Sequence, residues 1–516
     1  MPITCARLPI RFFQTRRGPR LAAGLILLLA GCASVGPDFQ PPQANPPADW
    51  HARPAGARDL AGSLPLSNDT LPDAWWHAFG DATLDALQAR AVQASPDLQA
   101  AALRFTQSRL QRRMMASQQA PQAEFNAQAT RLRQSEHGAE TRLVNAIGGA
   151  NAPQLIEVLS EPFSLYQAGF DVSWELDLWG RVRRSVESAD AGVQAAAAQL
   201  RDARRVLASE LARAYFELRR LQRQQALLAR EVAIAGELLE LVRARAATGL
   251  SDQEPALAQA EGVAALQARQ VALRAQLGAA ANQIALLTGD VPGALEPLLG
   301  PQAEALDADT SPTLPSLALG QPSDLLRRRP DVQAAEARLH QATAEIGVAV
   351  ADLYPRIALG ASASVQSMAT NTLAEWGSRS WQIGPVLSLP IFDQGRRRAV
   401  VELRRTDQQA AAVAWRQSVL KAWQELDDAL NDHAAERMRN DRLRARASAS
   451  REQFELAHAR AANGLVSDAT ALRAEQAWRQ AQADLADSDA WLRATLVRVY
   501  KAAGGGVEPA ALDGPA

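Results

Sequence analysis

The chain has 516 residues and a formal net charge of −1, with 47% hydrophobic and 22% charged residues. That balance excludes disorder by composition and argues against a nucleic-acid binder, which carries a basic excess. Aromatics are only 5%, while alanine, glutamine, leucine and arginine fill long stretches, as in extended helices packed through small side chains. The two cysteines, Cys5 and Cys32, lie at the N-terminus, so the body carries no disulfide or thiolate metal site. The six histidines are scattered without ligand spacing, and no cofactor is expected.

Arg11, Arg16, Arg17 and Arg20 precede an apolar run, Leu21–Ala30. That run is too short to span a bilayer as a helix, which takes roughly 20 residues; the pattern is that of an export signal. The run ends in Leu29-Ala30-Gly31-Cys32, which resembles the bacterial lipoprotein signal. By that resemblance Cys32 is acylated and becomes the first residue after cleavage. Ala33 in place of aspartate favours passage to the outer membrane. The following stretch, rich in proline (Pro37, Pro41, Pro42, Pro46, Pro47), reads as an extended tether with no packed core.

Beyond Cys32 no apolar run is long enough for a membrane-spanning helix. A membrane crossing must then use strands in a closed barrel, and four segments have the period-two pattern. From Phe170 to Leu178 every even position is apolar and every odd one polar. Ala123, Phe125, Ala127 and Ala129 alternate with Glu124, Asn126, Gln128 and Thr130. Ile357–Val365 alternates likewise, and Trp381–Ile391 less cleanly because of Pro385 and Pro390. The alternative is a soluble half-buried sheet. Tyr166, Trp174, Trp376 and Trp381 are candidates for an interfacial aromatic girdle.

Pro96–Ala101 (PDLQAA) recurs as Pro330–Ala335 (PDVQAA), and Pro121 recurs as Pro355 at the same offset. Gly169, Gly180-Arg181 and Gly249-Leu250 recur as Gly384, Gly395-Arg396 and Gly464-Leu465, at a second, shorter offset. The first copy is therefore longer, and the whole excess falls between Pro121 and Gly169, which predicts an exposed loop between two strands. Each half then reads helix, strand, loop, strand, very long helix, tight turn, returning helix. No proline interrupts 163–254 or 391–508. Val193, Leu200, Leu207, Ala214, Leu221, Leu228, Ala235 and Val242 form a seven-residue column, with Leu211, Leu218, Val232 and Leu239 in a second stripe. Such sustained heptads predict coiled-coil packing, and Arg181–Thr248 as one helix spans about 100 Å. The turns at 247–252 and 462–468 are expected to be C′ glycines followed by Ser/Asp N-caps.

Four strands per chain cannot close a barrel, and open edges are not tolerated in lipid. The chain must therefore oligomerise; three copies supply about 12 strands. The expected fold class is an α+β membrane protein, a helical coiled-coil barrel continuous with a transmembrane β-barrel, with an internal tandem repeat. Asp171, Glu175 and Asp177 would line water. The expected division is signal peptide 1–31, lipidated proline-rich tether 32–70, first repeat 71–300, linker 301–321, second repeat 322–503 and flexible tail 504–516.

Cys32 with Val35–Phe39 (VGPDF), Trp75-Trp76 with Phe79, Asp81 and Leu84, Gly169–Arg181, Leu325–Asp331 (LLRRRPD), Ala335-Glu336, Ile346-Gly347, Tyr354-Pro355 and Gly384–Arg396 (GPVLSLPIFDQGR) together carry a resemblance. The chain resembles the TolC-like outer membrane factors, in the NodT (OprM-like) lipoprotein branch of efflux systems, over nearly all of 32–503. The resemblance implies a homotrimeric duct in the outer membrane that extends into the periplasm. It also implies a periplasmic adaptor and an inner-membrane pump of the RND type as partners, and passive export of small molecules. It makes the hairpin tips adaptor-docking sites: Arg245, Gly249, Leu250 and Ser251, with Arg460, Gly464, Leu465 and Ser467. Asp252 and Asp468 become gate or lining carboxylates, or else helix N-terminal charges complementing the macrodipole.

Three other readings stand beside it. An enzyme would need a nucleophile with its base, a metal cluster or a phosphate loop; no GxSxG, GxxxxGK[ST] or HExxH occurs, and the acidic pairs Glu175/Asp177 and Asp427/Asp428 read as solvated faces. A non-pore coiled-coil envelope lipoprotein leaves the alternating strands unexplained. A type I secretion duct shares the architecture.

Overall fold

Period-two alternation puts every second side chain on one face, and all four alternating segments are strands in a computed structural model that describes residues 34–43, 64, 66–67, 71–300, 317–318, 325 and 327–506. In chain order, helices α1 (Ala82–Ala94) and α2 (Pro96–Ser117) precede strand β1 (Gln122–Leu132). Helices α3 (Ala139–Ile147) and α4 (Ala152–Ser160) separate it from β2 (Phe163–Glu175), and the long α5 (Arg181–Ala247) and α6 (Glu254–Thr288) follow. The second half runs α7 (Pro330–Ala351), β3 (Arg356–Ser367), β4 (Arg379–Ser388), α8 (Arg396–Ala462) and α9 (Asp468–Ala502). The long helices match in length, 67 residues for α5 and α8 and 35 for α6 and α9. The export signal, Cys32 and most of the expected linker and tail lie outside the described residues.

The chain divides into two compact units. The first gathers the described residues of 1–40 with 109–192 and 339–410. Its centre is an antiparallel sheet in the order β1-β2-β3-β4. Gly169 has a steric reason to be glycine: a Cβ there would sit 2.5 Å from the Ser364 Cβ on the neighbouring strand. The β1–β2 connection is not the plain loop expected from the extra length of the first copy. It folds into α3 and α4, with the Arg133 guanidinium donating to the Ser160 carbonyl at 3.1 Å at its base. Nor are residues 34–40 an unpacked tether: Val35 donates its N–H to the Trp179 carbonyl at 3.1 Å.

The second unit gathers the described residues of 41–108, 193–338 and 411–516, and here the heptad stripes find their partners. Leu221 and Leu228 of α5 bury against Leu273 of α6. Ile234 and Leu238 of α5 bury against Ala469 of α9. Asn440 of α8 donates to Ser488 of α9 at 3.2 Å, and Phe454 stacks on Trp478 at 5.2 Å. The order across this helical layer is therefore α6-α5-α9-α8. Of the predicted column, Leu200, Leu207, Leu221, Leu228 and Ala235 are buried. Val193, Ala214 and Val242 do not reach that degree of burial.

One face of the layer is covered at Tyr500. Trp75, fully buried, stacks on the Tyr500 ring at 5.3 Å. Asp81 caps α1 through the Thr83 and Leu84 N–H groups and accepts the Tyr215 hydroxyl at 2.5 Å. Burial, and then the Asp81 carboxylate, push the Tyr215 phenol up to about 12. Gly505 closes on Leu71 and Trp75, where a Cβ would meet side-chain carbons at 2.9 and 3.0 Å, so 504–506 are packed rather than part of a flexible tail. Leu66-Ser67 and Leu317-Ala318, expected in tether and linker, pair as a short parallel bridge.

Candidate functional site

The strand register sorts the sheet into two faces. One carries Ala123, Phe125, Ala127 and Ala129 of β1, Ala168, Phe170, Val172 and Trp174 of β2, Leu359, Ala361 and Ala363 of β3, and Trp381, Ile383 and Leu387 of β4. These residues meet one another (Phe125 and Phe170 lie 5.1 Å apart) but little else. Phe170 is 58% exposed, Ile383 67% and Trp381 78%. A contiguous apolar face of this kind marks a surface that meets lipid or protein.

The other face carries Glu124, Asn126 and Gln128, then Gln167 and Asp171, then Ser362 and Ser364, then Ser380 and Gln382. Asn126 donates to Asp171 at 3.0 Å, and the Ser364 and Ser380 hydroxyls share a bond of 2.8 Å. Near α3 and α4 the alternation reverses, and Leu132, Phe163 and Leu165 fall on this polar side.

Of the three carboxylates expected to line water, Asp171 is exposed on the polar face of the sheet, and the other two are engaged at the strand–helix junction. Glu175 takes two bonds from the Arg181 guanidinium at 2.9 and 2.8 Å. Asp177 accepts the Val182 and Arg183 N–H groups at 2.9 and 2.8 Å, capping the start of α5. Asp177 is held there by the unsatisfied N–H groups and the positive end of the helix, and Glu175 by the Arg181 guanidinium. Tyr166 and Trp174 stand eight residues apart on β2, about 27 Å along the strand, or about 20 Å of height at the roughly 40° tilt of a barrel strand. Trp376, 80% exposed, sits just before β4 with the Arg379 guanidinium 4.4 Å from its ring.

The hairpin tips are built alike. Gly249 and Gly464 have φ of 73° and 70°. Gly249 N–H bonds the Ala246 carbonyl at 3.1 Å and Leu250 N–H the Arg245 carbonyl at 3.0 Å. Gly464 and Leu465 repeat this on Ala461 and Arg460 at 2.8 and 2.9 Å. Both are complete Schellman stops, which require the left-handed conformation glycine adopts without strain. Leu250 and Leu465 follow the glycines and are 80% and 74% exposed.

The expected Ser/Asp N-caps form only in part. α6 begins at Glu254 after Gln253, with Pro255 in its first turn. Ser251 donates instead to the Asp252 carbonyl at 3.0 Å, so the first-turn charge belongs to Glu254 rather than Asp252. Ser467 does occupy the N-cap position of α9, but its hydroxyl bonds the Thr470 hydroxyl at 3.0 Å; Asp468 is the first-turn acid. The two sets of docking candidates do not form one cluster. The start of α9 at Ala469 packs by Leu238, whereas Gly249 is about 16 Å of helix further along α5.

A polar ladder between α5 and α9 has no counterpart among the sequence motifs. Arg220 and Gln224 both reach Asp487, at 3.0 and 2.5 Å. Arg230 grips Glu475 with two bonds of 2.9 and 2.7 Å, and Arg479 adds a third of 3.4 Å. The Arg230 guanidinium holds the Glu475 carboxyl below the usual carboxylate range despite its burial. Between α8 and α9, His433 is 3% exposed and bonds the Thr495 hydroxyl at 3.0 Å. Burial pushes its imidazole down to about 4. Arg230 and Glu475 are separated by 245 residues, beyond any local pattern.

A sheet with one lipid-compatible face and one polar face, in a chain of long helical hairpins, defines a channel-forming membrane protein. Comparison with known proteins makes this particular. Residues 87–290 and 321–505 match the family model described as "Outer membrane efflux protein". The chain is 32% identical to outer membrane protein OprJ of Pseudomonas aeruginosa over 94% of this chain and 95% of that one. It is 29% identical to nodulation protein T of Rhizobium leguminosarum bv. viciae over 94% and 93%. The solved outer-membrane channel OprN superposes with a TM-score of 0.77 at 30% identity, over 92% of this chain and 100% of that one. The chain belongs to the outer membrane efflux protein family. It is an efflux channel component of the outer membrane.

Proposed function

We propose that three copies of this chain form a passive duct serving an inner-membrane pump through a periplasmic adaptor. The observation that carries this reading is the four-stranded sheet, whose edge strands β1 and β4 have no further strand partner among the described residues and whose apolar face is bare. In lipid both edges must be paired, and β4 of one copy against β1 of the next does so around a ring of about 12 strands. The helical layer has the same property. Leu257 and Val271 of α6 and Val413 and Leu420 of α8 are exposed on its outer flanks, so three layers close into a tube of long helices. The two halves, with helices of equal length, are tandem repeats. The polar sheet face lines the bore and the bare apolar face meets lipid; no catalytic step is involved.

Lipidation at Cys32 anchors each copy, and the pump is of the RND type; a pump partner is supported by relatives named as outer membrane proteins of toluene and solvent efflux pumps. The test is single-channel conductance in a planar bilayer together with mass in detergent. Discrete openings from a species of trimeric mass are expected; a monomer without conductance would sink the duct. The adaptor docks at the tips, through Arg245, Leu250, Arg460 and Leu465. Arg460→Glu is expected to weaken adaptor capture about tenfold, and unchanged capture removes that residue from the surface.

A further inference from the structure

The segment from Ser34 to Phe39 is held in a way no flexible tether requires. Arg184, at the start of α5, is 5% exposed and uses all its side-chain nitrogens on this segment and its neighbour. Nε donates to the Val35 carbonyl at 3.3 Å, Nη2 to Asp38 at 2.6 Å and Nη1 to Glu187 at 2.8 Å. Glu187 is shared with His340 at 3.0 Å, and the His340 ring stacks on Phe39 at 4.4 Å and 15°.

Glycines clear the path for the backbone. Gly36 has φ of 93°, and a Cβ there would lie 2.5 Å from the Gly347 Cα; a Cβ on Gly347 would lie 2.8 Å from the Arg184 side chain. A Cβ on Gly180, at the foot of α5, would meet the Ser34 hydroxyl at 2.2 Å. The segment and two separate elements are thus stripped of side chains where they cross. The ground it is seated on is the junction at which β2 ends and α5 begins, next to Trp174 and the foot of the apolar band.

We propose that Ser34–Phe39 is a clamp that pins an acylated Cys32 at this junction, with Arg184 as positioning residue and outer-membrane lipid as the partner it serves. The proposal rests on the lipoprotein reading of Cys32. From Cys32 to Ser34 the chain reaches about 7 Å. With Ser34 docked, the acyl chains of Cys32 are held within that radius of the junction. Anchor and sheet then enter the bilayer in fixed register.

The experiment uses the full-length protein in outer membranes, labelled with palmitate and treated with chymotrypsin, and follows cleavage after Phe39 by mass spectrometry. Gly36→Ala forces the segment off Gly347, and Asp38→Ala removes an 87%-exposed side chain without touching the core. Both are expected to keep the label and the parent's conductance while cleavage after Phe39 accelerates tenfold or more for Gly36→Ala and about threefold for Asp38→Ala. Arg184→Gln is expected to match Gly36→Ala, and the double variant to be no faster than either single. Parent-like resistance in Gly36→Ala and Asp38→Ala overturns the clamp. A parent chain that takes up no palmitate overturns the anchor it serves, and does so separately, because the cleavage rates still report whether the segment is docked.

Discussion

The sheet and the helical layer are both four elements wide and both open at two flanks, yet they are held by different physics. In the sheet, one face is apolar and bare and the other is polar over most of its length, so polarity alternates residue by residue. In the layer, alanine and leucine stripes bring helices close, but the α5–α9 contact is completed by arginines gripping Asp487 and Glu475. The sheet is specified by which solvent each face meets, and the layer by partners distant in sequence. A substitution should therefore act through its face in the first and through its partner in the second.

The sharpest way to break that contrast is to place a charge on either face of β2. Phe170→Arg sits on the apolar face, and an arginine at the bilayer midplane costs about 2–4 kcal/mol per chain; outer-membrane protein recovered by fractionation is expected to fall severalfold. Gln167→Arg, on the opposite face, is expected to stay within about 0.5 kcal/mol. Equal losses from both would mean that the two faces do not meet different surroundings.

In the layer the corresponding blow is to Glu475. Glu475→Gln leaves Arg230 and Arg479 facing a neutral partner, and breaking a pair this buried on one side costs roughly 2–3 kcal/mol. A lower midpoint of helix unfolding by circular dichroism is expected, with membrane insertion unchanged. The pair should also fail in acid. The Glu475 carboxyl is depressed in the folded state, so its contribution is present above the unfolded carboxylate pKa and lost as pH falls through the lower folded value.

His433 gives an acid effect at milder pH, with a defined window. Its imidazole is held down at about 4 in the folded chain, against 6.5 unfolded. The unfolded chain therefore takes up a proton first as pH drops, and stability falls between about 6.5 and 4, by up to about 3 kcal/mol per chain. His433→Gln is expected to flatten that slope in denaturant titrations at pH 7 and pH 5; an unchanged slope places the sensitivity elsewhere.

What is legible in the sequence follows the same division. The four strands, the equal halves and the hairpin turns each leave a local signature: alternation, a repeated PDxQAA, a glycine after an unbroken helix. Alternation gives the face of Glu175 and Asp177 but not the proximity of Arg181 or of the bare N–H groups opening α5, which engage both carboxylates at the junction. The helices α3 and α4 hide in a predicted loop because each is only nine residues long, below the length at which periodicity is distinguishable from chance. Proline content makes 34–39 look like tether and says nothing about a buried arginine 149 residues away. Asp487, Glu475 and His433 are invisible for the same reason.

The smallest expected effect tests whether the tips follow the layer's rule or neither. Gly249 and Gly464 hold φ of 73° and 70°, and an added Cβ at either would meet nothing within 4 Å. Their substitution therefore costs backbone strain alone, about 1 kcal/mol for an L-residue in the left-handed region, with no packing loss. Gly249→Ala and Gly464→Ala are each expected to lower stability by that amount, and the double variant by the sum, because the two tips are separated along the layer and substitutions at distant sites add. Leu250 and Leu465 make the contrast informative. A Schellman stop usually tucks the residue after its glycine against the helix it ends, yet both leucines are largely exposed. If they serve an adaptor, Leu250→Ala and Leu465→Ala should leave stability alone and weaken capture. A stability loss above about 1 kcal/mol, the scale of a lost apolar contact, would instead mean that these side chains already have a partner within the assembled channel.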